Sequence, residues 1–365
     1  RFGSREVKML SKNIDITGKV VLITGAAGFI GANLSCELLR RFQNIQIVGI
    51  DNLNDYYDVG IKEYRLAQIQ RVEEEETGTF IFIKNSIANK NFVQEIFQKY
   101  QPSIVVNLAA QAGVRYSITN PDVYMESNVM GFYHILEACR ASFESGNSPV
   151  EHFIYASSSS VYGMNQKIPY SVNDFVDSPV SLYAATKKSN ELFAHAYSKL
   201  YHIPCTGLRF FTVYGPAGRP DMAYYGFTDK LRRNEKIQIF NYGKCKRDFT
   251  YIDDIVAGIR KVIQSAPKEN KEGIPYKVYN IGNSRPVNLM DFVEILKEEL
   301  ISVEILPPDY NFNAHIELVP MQPGDVETTY ADVSELEKDF GFKPNTDLRT
   351  GLRDFVVWYK EYYGL

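Results

Sequence analysis

At 365 residues the chain is long enough for a large core and two lobes, since single cores stop growing near ~250–300 residues, and its formal net charge of −4 excludes the general basic field that a nucleic-acid partner needs. Cys36, Cys139, Cys205 and Cys245 are widely spaced with no Cys-x-x-Cys, and His134, His152, His195, His202 and His315 fall in no metal-ligand spacing, so neither a disulfide frame nor a metal site is expected. No window reaches the ~18 consecutive apolar residues of a membrane span and the N-terminus is too polar for a signal peptide, which leaves a cytoplasmic protein with reduced thiols as the expectation.

The chain opens on RFGS rather than Met, so residues 1–16 are read as an N-terminal extension, in part a cloning remnant or the cut end of a longer chain. Short apolar runs follow at KVVLIT (19–24), IQIVGI (45–50), FIFI (80–83), IVVNL (104–108) and HFIYA (152–156), separated by segments of helical spacing such as 89–100, 123–143 and 181–200. Near-continuous apolar runs that alternate with helices describe a parallel sheet covered on both faces, hence an α/β, doubly wound fold. The acidic run at 73–76 reads as a solvated helix end or loop. Beyond residue 208 the alternation loosens, with Gly and Pro clustered at 215–220 and paired prolines at 307 and 308. The expected division is therefore a first domain over 17–208 and a smaller lobe over 209–365, with the chain returning to the first sheet near 250–283 through YKVYNI (276–281). An amphipathic stretch from Leu352 to Tyr363 closes the structure, and there is no internal repeat.

TGAAGFIG (24–31) places Gly25, Gly28 and Gly31 directly after the first strand and at the start of a helix marked by Ile30, Leu34 and Leu38. Glycine lets the backbone turn sharply and approach a pyrophosphate, and the helix N-terminus adds free N–H donors and partial positive charge. Glycines that served only a tight turn would not explain three at this spacing. Asp51 closes the second strand, where a carboxylate accepts from ribose hydroxyls and repels a 2′-phosphate, so NAD is favoured over NADP.

Tyr183 and Lys187 lie one helical turn apart, downstream of the serine-rich strand end SSSSVYG (157–163). Spacing alone proves little in a chain of 25 tyrosines, and a second copy, Tyr242 with Lys246, sits in a Gly/Lys-rich turn with no serine run before it. If the fold brings Ser158 beside Tyr183, the three form an acid–base device that moves a hydroxyl proton while a nicotinamide takes the hydride.

Together TGAAGFIG, the serine run and YAATK resemble the Rossmann-type extended short-chain dehydrogenases/reductases, over nearly all of residues 17–360. DNLNDYYD (51–58), NLAAQAGVRYS (107–117), RFFTVYGPAGRPDMA (209–223), RDFTYIDDI (247–255) and MQPGDVETTYAD (321–332) resemble more narrowly the UDP-glucuronate 4-epimerases. The resemblance implies Ser158, Tyr183 and Lys187 as catalytic residues. It further implies bound NAD held by Gly25, Gly28, Phe29, Ile30, Gly31, Asp51, Asn52, Ser86, Ile87, Leu108, Ala109, Ala110, Asn128, Tyr183, Lys187 and Phe210. Ser86 stands where related proteins often carry an acidic residue facing adenine. Tyrosine has an ordinary pKa of ~10, and Lys187 with the nicotinamide charge is expected to lower it.

For the substrate, the resemblance implies a UDP-sugar between the lobes. Ser158, Ser159, Ser160 and Thr212 would surround the sugar and its carboxylate, Arg219 and Arg247 would clamp the diphosphate, Arg115 would reach the substrate, and Asp325 would meet the uridine ribose. Dehydratases of this fold carry an Asp–Glu pair where this chain has Ser159 and Ser160, which disfavours dehydration. Gln322 replaces an arginine of some related epimerases, and the small Thr329 leaves neutral or N-acetylated sugars open. The competing readings are a decarboxylase of UDP-glucuronate and a catalytically silent NAD-binding scaffold; a homodimer is expected from resemblance alone.

Overall fold

The computed structural model describes residues 11–146, 149–322 and 325–365. The first ten residues of the expected extension lie outside that range, as do Pro323 and Gly324 of the MQPGDVETTYAD motif. Seven parallel strands form the central sheet: β1 (Val20–Thr24), β2 (Gln46–Asp51), β3 (Thr79–Lys84), β4 (Ile104–Asn107), β5 (His152–Ser158), β6 (Cys205–Phe210) and β7 (Tyr276–Ile281). Their spatial order is β7-β6-β5-β4-β1-β2-β3. The expected α/β, doubly wound architecture is thus present.

Alternate side chains of each strand serve two different cores, as the two-residue period of a strand demands. Val21 and Ile23 pack with the helices Phe29–Arg41 and Ile252–Ile263 on one face. Leu22, Val48 and Val105 pack with the helices Lys90–Tyr100, Phe132–Ser145 and Leu182–Tyr201 on the other. Each buried aliphatic side chain is worth roughly 1.5–3 kcal/mol, so covering both faces fixes the sheet between helical layers. Strand order reverses direction between β1 and β4, which leaves a crevice at their carboxyl ends.

The single helix expected over 123–143 is broken. A turn at Pro121–Tyr124 leads into a π-helical stretch, Met125–Gly131, before the helix Phe132–Ser145. Gly131 ends the wide turn where a Cβ would come within 2.6 Å of Ile87, so the close approach of helix and loop depends on glycine. Glu73, Glu74 and Glu75 finish the helix Val59–Glu75.

After β6 the chain builds two small sheets. Lys246–Tyr251 pairs in parallel with Thr212–Tyr214 and antiparallel with Pro286–Asn288, while Ile237–Ile239 pairs with Ile316–Leu318. The buried Asp248 carboxylate accepts N–H bonds from Asn283, Ser284 and Ala331, gathering two segments beside Arg247. The last helix, Leu348–Tyr363, is capped by Asp347, whose side chain accepts from Thr350 N, and it buries Leu352, Phe355, Val356 and Tyr359. Among the described residues no helix is long and apolar enough to cross a membrane.

Candidate active site

At the carboxyl ends of β1 and β4 lies a cavity of about 450 Å³, within the range of small-molecule sites. Its floor is the turn after β1. Gly25 adopts φ +72°, and a Cβ there would meet Ala109 N at 2.8 Å. A Cβ on Gly31 would stand 2.2 Å from Gly25 O. The helix Phe29–Arg41 starts with no side-chain cap and no acidic residue in its first turn, and its first residues line the cavity. Asp51 ends β2 with Oδ2 accepting from Ala27 N (3.2 Å) and Oδ1 from Leu53 N (2.9 Å), which ties the carboxylate to the same turn. Bare backbone close to the cavity and a fixed acceptor at the second strand's end fit a dinucleotide. Phe29, Ile30, Asn52, Ser86, Ile87, Leu108, Ala109, Ala110 and Phe210 line the same space.

Asn128 does not line it. Its side chain is buried, accepting from Gln111 N (2.7 Å) and donating to Gln111 O (3.0 Å) and Thr186 Oγ1 (3.2 Å). It therefore braces the loop after β4 against the helix Leu182–Tyr201.

Ser158 ends β5 at the cavity wall, its hydroxyl accepting from Ser160 N (3.2 Å) and Ser160 Oγ (2.9 Å). Tyr183 occupies the first turn of the helix capped by Ser181, and Ser158 hydrogen-bonds to its phenol. Lys187, one turn on, donates from Nζ to Ala156 O at 2.9 Å and stands 6.0 Å from the Tyr183 ring centre. All three residues therefore meet in one wall. The Tyr242 and Lys246 copy does not form such a pair: Tyr242 has φ +52° in a kinked turn and Lys246 begins a strand.

The acidities differ from expectation. Burial raises the Tyr183 phenol above 10; the Ser158 hydrogen bond and the Arg219 charge pull it back, and Asp221 pushes it up. Lys187 is itself driven down to about 8 by burial. The expected lowering of Tyr183 by its lysine is not found in the protein alone: burial outweighs Ser158 and Arg219, because the phenol sits in a poorly hydrated wall.

Ser159, Ser160, Thr212, Arg219, Arg247 and Asp325 also line the cavity. Arg219 is engaged side-on by Asp221, through Nε to Oδ1 (3.0 Å) and Nη2 to Oδ2 (2.5 Å), and Tyr56 donates to the same carboxylate (3.1 Å). Arg247 donates Nη1 to Lys246 O and Glu327 O. Arg115 is half exposed, lies 4.6 Å from the Phe240 ring centre and pairs at 2.9 Å with Asp325, which lines the cavity. It thus supports a lining residue. Sequence reasoning passed over Tyr56, Lys62, Gln111 and Tyr170, which line the cavity too. Tyr56 and Gln111 stand inside motifs already singled out, but only the folded chain separates lining residues from their neighbours.

The family model described as GDP-mannose 4,6 dehydratase matches residues 22–355. The chain belongs to the NAD-dependent epimerase/dehydratase family of extended short-chain dehydrogenases/reductases, among its UDP-sugar 4-epimerases. It is 48% identical to protein CapI of Staphylococcus aureus over 94% of this chain and 99% of that one. UDP-glucuronate 4-epimerase 2 of Arabidopsis thaliana is 44% identical over 95% of this chain and 77% of its own length. Among solved structures, a UDP-glucuronic acid 4-epimerase from Bacillus cereus, in complex with UDP-glucuronic acid and NAD, superposes with a TM-score of 0.79 at 32% identity, covering 94% of this chain and all of that one.

Proposed function

We propose that this epimerase converts UDP-glucuronate to UDP-galacturonate through a transient 4-keto sugar. The observation that carries the reading is the hydroxyl set Ser159, Ser160 and Thr212, facing the cavity that also holds Ser158, Tyr183 and Lys187. When bound, NAD accepts the hydride from C4 and returns it, so oxidation and reduction cancel over one turnover. Tyr183 takes the O4 proton as the C4 hydrogen departs with its electron pair, and gives it back to the same oxygen when the other face of the ketone is reduced. Ser158 holds O4 by a hydrogen bond throughout, and Lys187 stabilises the phenolate.

A ketone at C4 makes the uronic acid a β-keto acid, which loses carbon dioxide once its carboxylate aligns with the carbonyl. Neutral hydroxyl donors fix that carboxylate out of alignment, whereas a decarboxylase must release it. Residues 17–208 would serve mainly the cofactor and 209–365 mainly the nucleotide sugar, in a cytoplasmic homodimer. Thr329, small and at the cavity wall, favours a second reading in which a neutral or N-acetylated UDP-sugar is epimerised.

The test is incubation of the protein with UDP-glucuronate and resolution of the products by NMR. UDP-galacturonate is expected as the main product; UDP-xylose, or no turnover, overturns the proposal.

A further inference from the structure

Arg65, on the helix Val59–Glu75, is a buried arginine, 2% exposed, and it does not line the cavity. Among the described residues no carboxylate pairs with it. Its guanidinium donates instead to Ala217 O (2.8 Å), Gly218 O (2.8 Å), Ala27 O (3.1 Å) and the Tyr57 hydroxyl (2.8 Å). A buried cation held by carbonyl and hydroxyl dipoles with no counter-charge is costly, and an apolar side chain of similar size would fill the same volume more cheaply. What the planar fork does that no apolar group can is hold three carbonyls from two distant segments in one plane.

Those segments are the two halves of the site. Ala27 belongs to the glycine turn, and Phe29, two residues on, packs its ring 5.8 Å from the same guanidinium. Ala217 and Gly218 immediately precede Arg219, and Ala217 holds φ +52°, a left-handed backbone that costs an alanine free energy and persists only where its surroundings enforce it. Tyr57 joins the segment after Asp51 to the same hub, while the adjacent Tyr56 reaches Asp221.

We propose that Arg65 is a positioning residue that couples the cofactor turn to the arginine-bearing substrate loop, so that each ligand strengthens the binding of the other. The coupling rests on the reading of the cavity as a joint dinucleotide and nucleotide-sugar site. Binding at the glycine turn fixes Ala27 O, the fork transmits that position to Ala217 and Gly218, and Arg219 is presented in its binding geometry; linkage makes the effect reciprocal.

Arg65→Lys keeps the charge but replaces the planar fork with a single ammonium that cannot span all three carbonyls. By calorimetry well below the melting temperature, the variant should bind UDP about tenfold more weakly and NAD more weakly in parallel, although Arg65 does not line the site, a loss in the ordinary range of coupling between sites. A purely structural role would lower the melting temperature and leave both dissociation constants unchanged. A folded variant with either constant within about twofold of wild type overturns the coupling. Should the variant fail to fold, hydrogen exchange on the wild type decides: UDP alone must slow exchange at amides 25–31, and protection confined to the substrate loop overturns the proposal. Failure of UDP to bind the wild type would sink the reading of the cavity, and the coupling with it.

Discussion

Lys187 shows how a single position trades stability for chemistry. Its side chain is almost wholly buried, and burial lowers its pKa from 10.5 to about 8. In the unfolded chain it binds a proton up to pH 10.5, so between 8 and 10.5 the unfolded state holds a proton that the folded state has released. The fold therefore carries a cost of about 3 kcal/mol that is complete below pH 8 and gone above 10.5. Lys187→Met should cut turnover by about 100-fold or more, because the phenol loses its cationic support. It also leaves Ala156 O without the ammonium, which costs stability independently of pH. The diagnostic quantity is accordingly the difference in stability between variant and wild type: measured by urea denaturation, it should move in favour of wild type as pH rises from 7 to 10. A difference that stays constant over that range refutes the assigned burial cost.

At the scale of elements, the glycine turn makes a sharper statement than its motif. A Cβ on Gly31 meets three backbone atoms, the nearest at 2.2 Å, and backbone cannot step aside as a flexible side chain can. Gly60, near the start of its helix, is the control, because a Cβ there meets only the Asp58 side chain, at 3.2 Å. Gly31→Ala should lose about 1–3 kcal/mol of stability through overpacking and bind NAD more weakly, while Gly60→Ala should be neutral or gain up to about 1 kcal/mol from helix propensity. Thermal melts and NAD titrations of the two variants check both halves. The turn, the first five strands and the Ser158, Tyr183 and Lys187 wall were legible because their signals are local: apolar runs, a glycine spacing, a helical spacing after a serine run. β6 was not, since CTGLRF is no apolar run, and Arg209 is admitted to the interior by Glu191, 18 residues upstream on a helix, at 2.8 Å, and by the Tyr162 hydroxyl. The partners of Asn128 and Arg115 were hidden for the same reason. Gln111 and Thr186 take up the side chain of Asn128 and Asp325 pairs with Arg115, and no sequence spacing reports that.

The molecule as a whole is held by its two-faced sheet, and His152 sits in the seam where β5, β6 and the helix Ile252–Ile263 meet. It is fully buried, with Nε2 2.8 Å from Thr206 Oγ1 and Nδ1 facing Ile263 O. The partners assign the neutral ring, Nδ1–H toward the carbonyl and Nε2 accepting from the threonine, and burial lowers its pKa from 6.5 to about 4. Below pH 6.5 the unfolded chain takes up a proton that the folded ring refuses, so His152 removes stability progressively as pH falls toward 4, by up to about 3 kcal/mol. Asp248 opposes it in the same window, because a buried carboxyl raised to about 6 binds its proton more readily in the folded state. The two effects cancel in part in the wild type, and only a difference measurement separates them. His152→Gln removes the titrating group while keeping polar atoms for Thr206 and Ile263. Its urea midpoint relative to wild type should therefore rise steadily as pH is lowered from 7 to 4.5, with Asp248 contributing equally to both proteins. A midpoint difference that does not change with pH would mean that His152 is protonated in the fold, and that the seam between sheet and helix admits water.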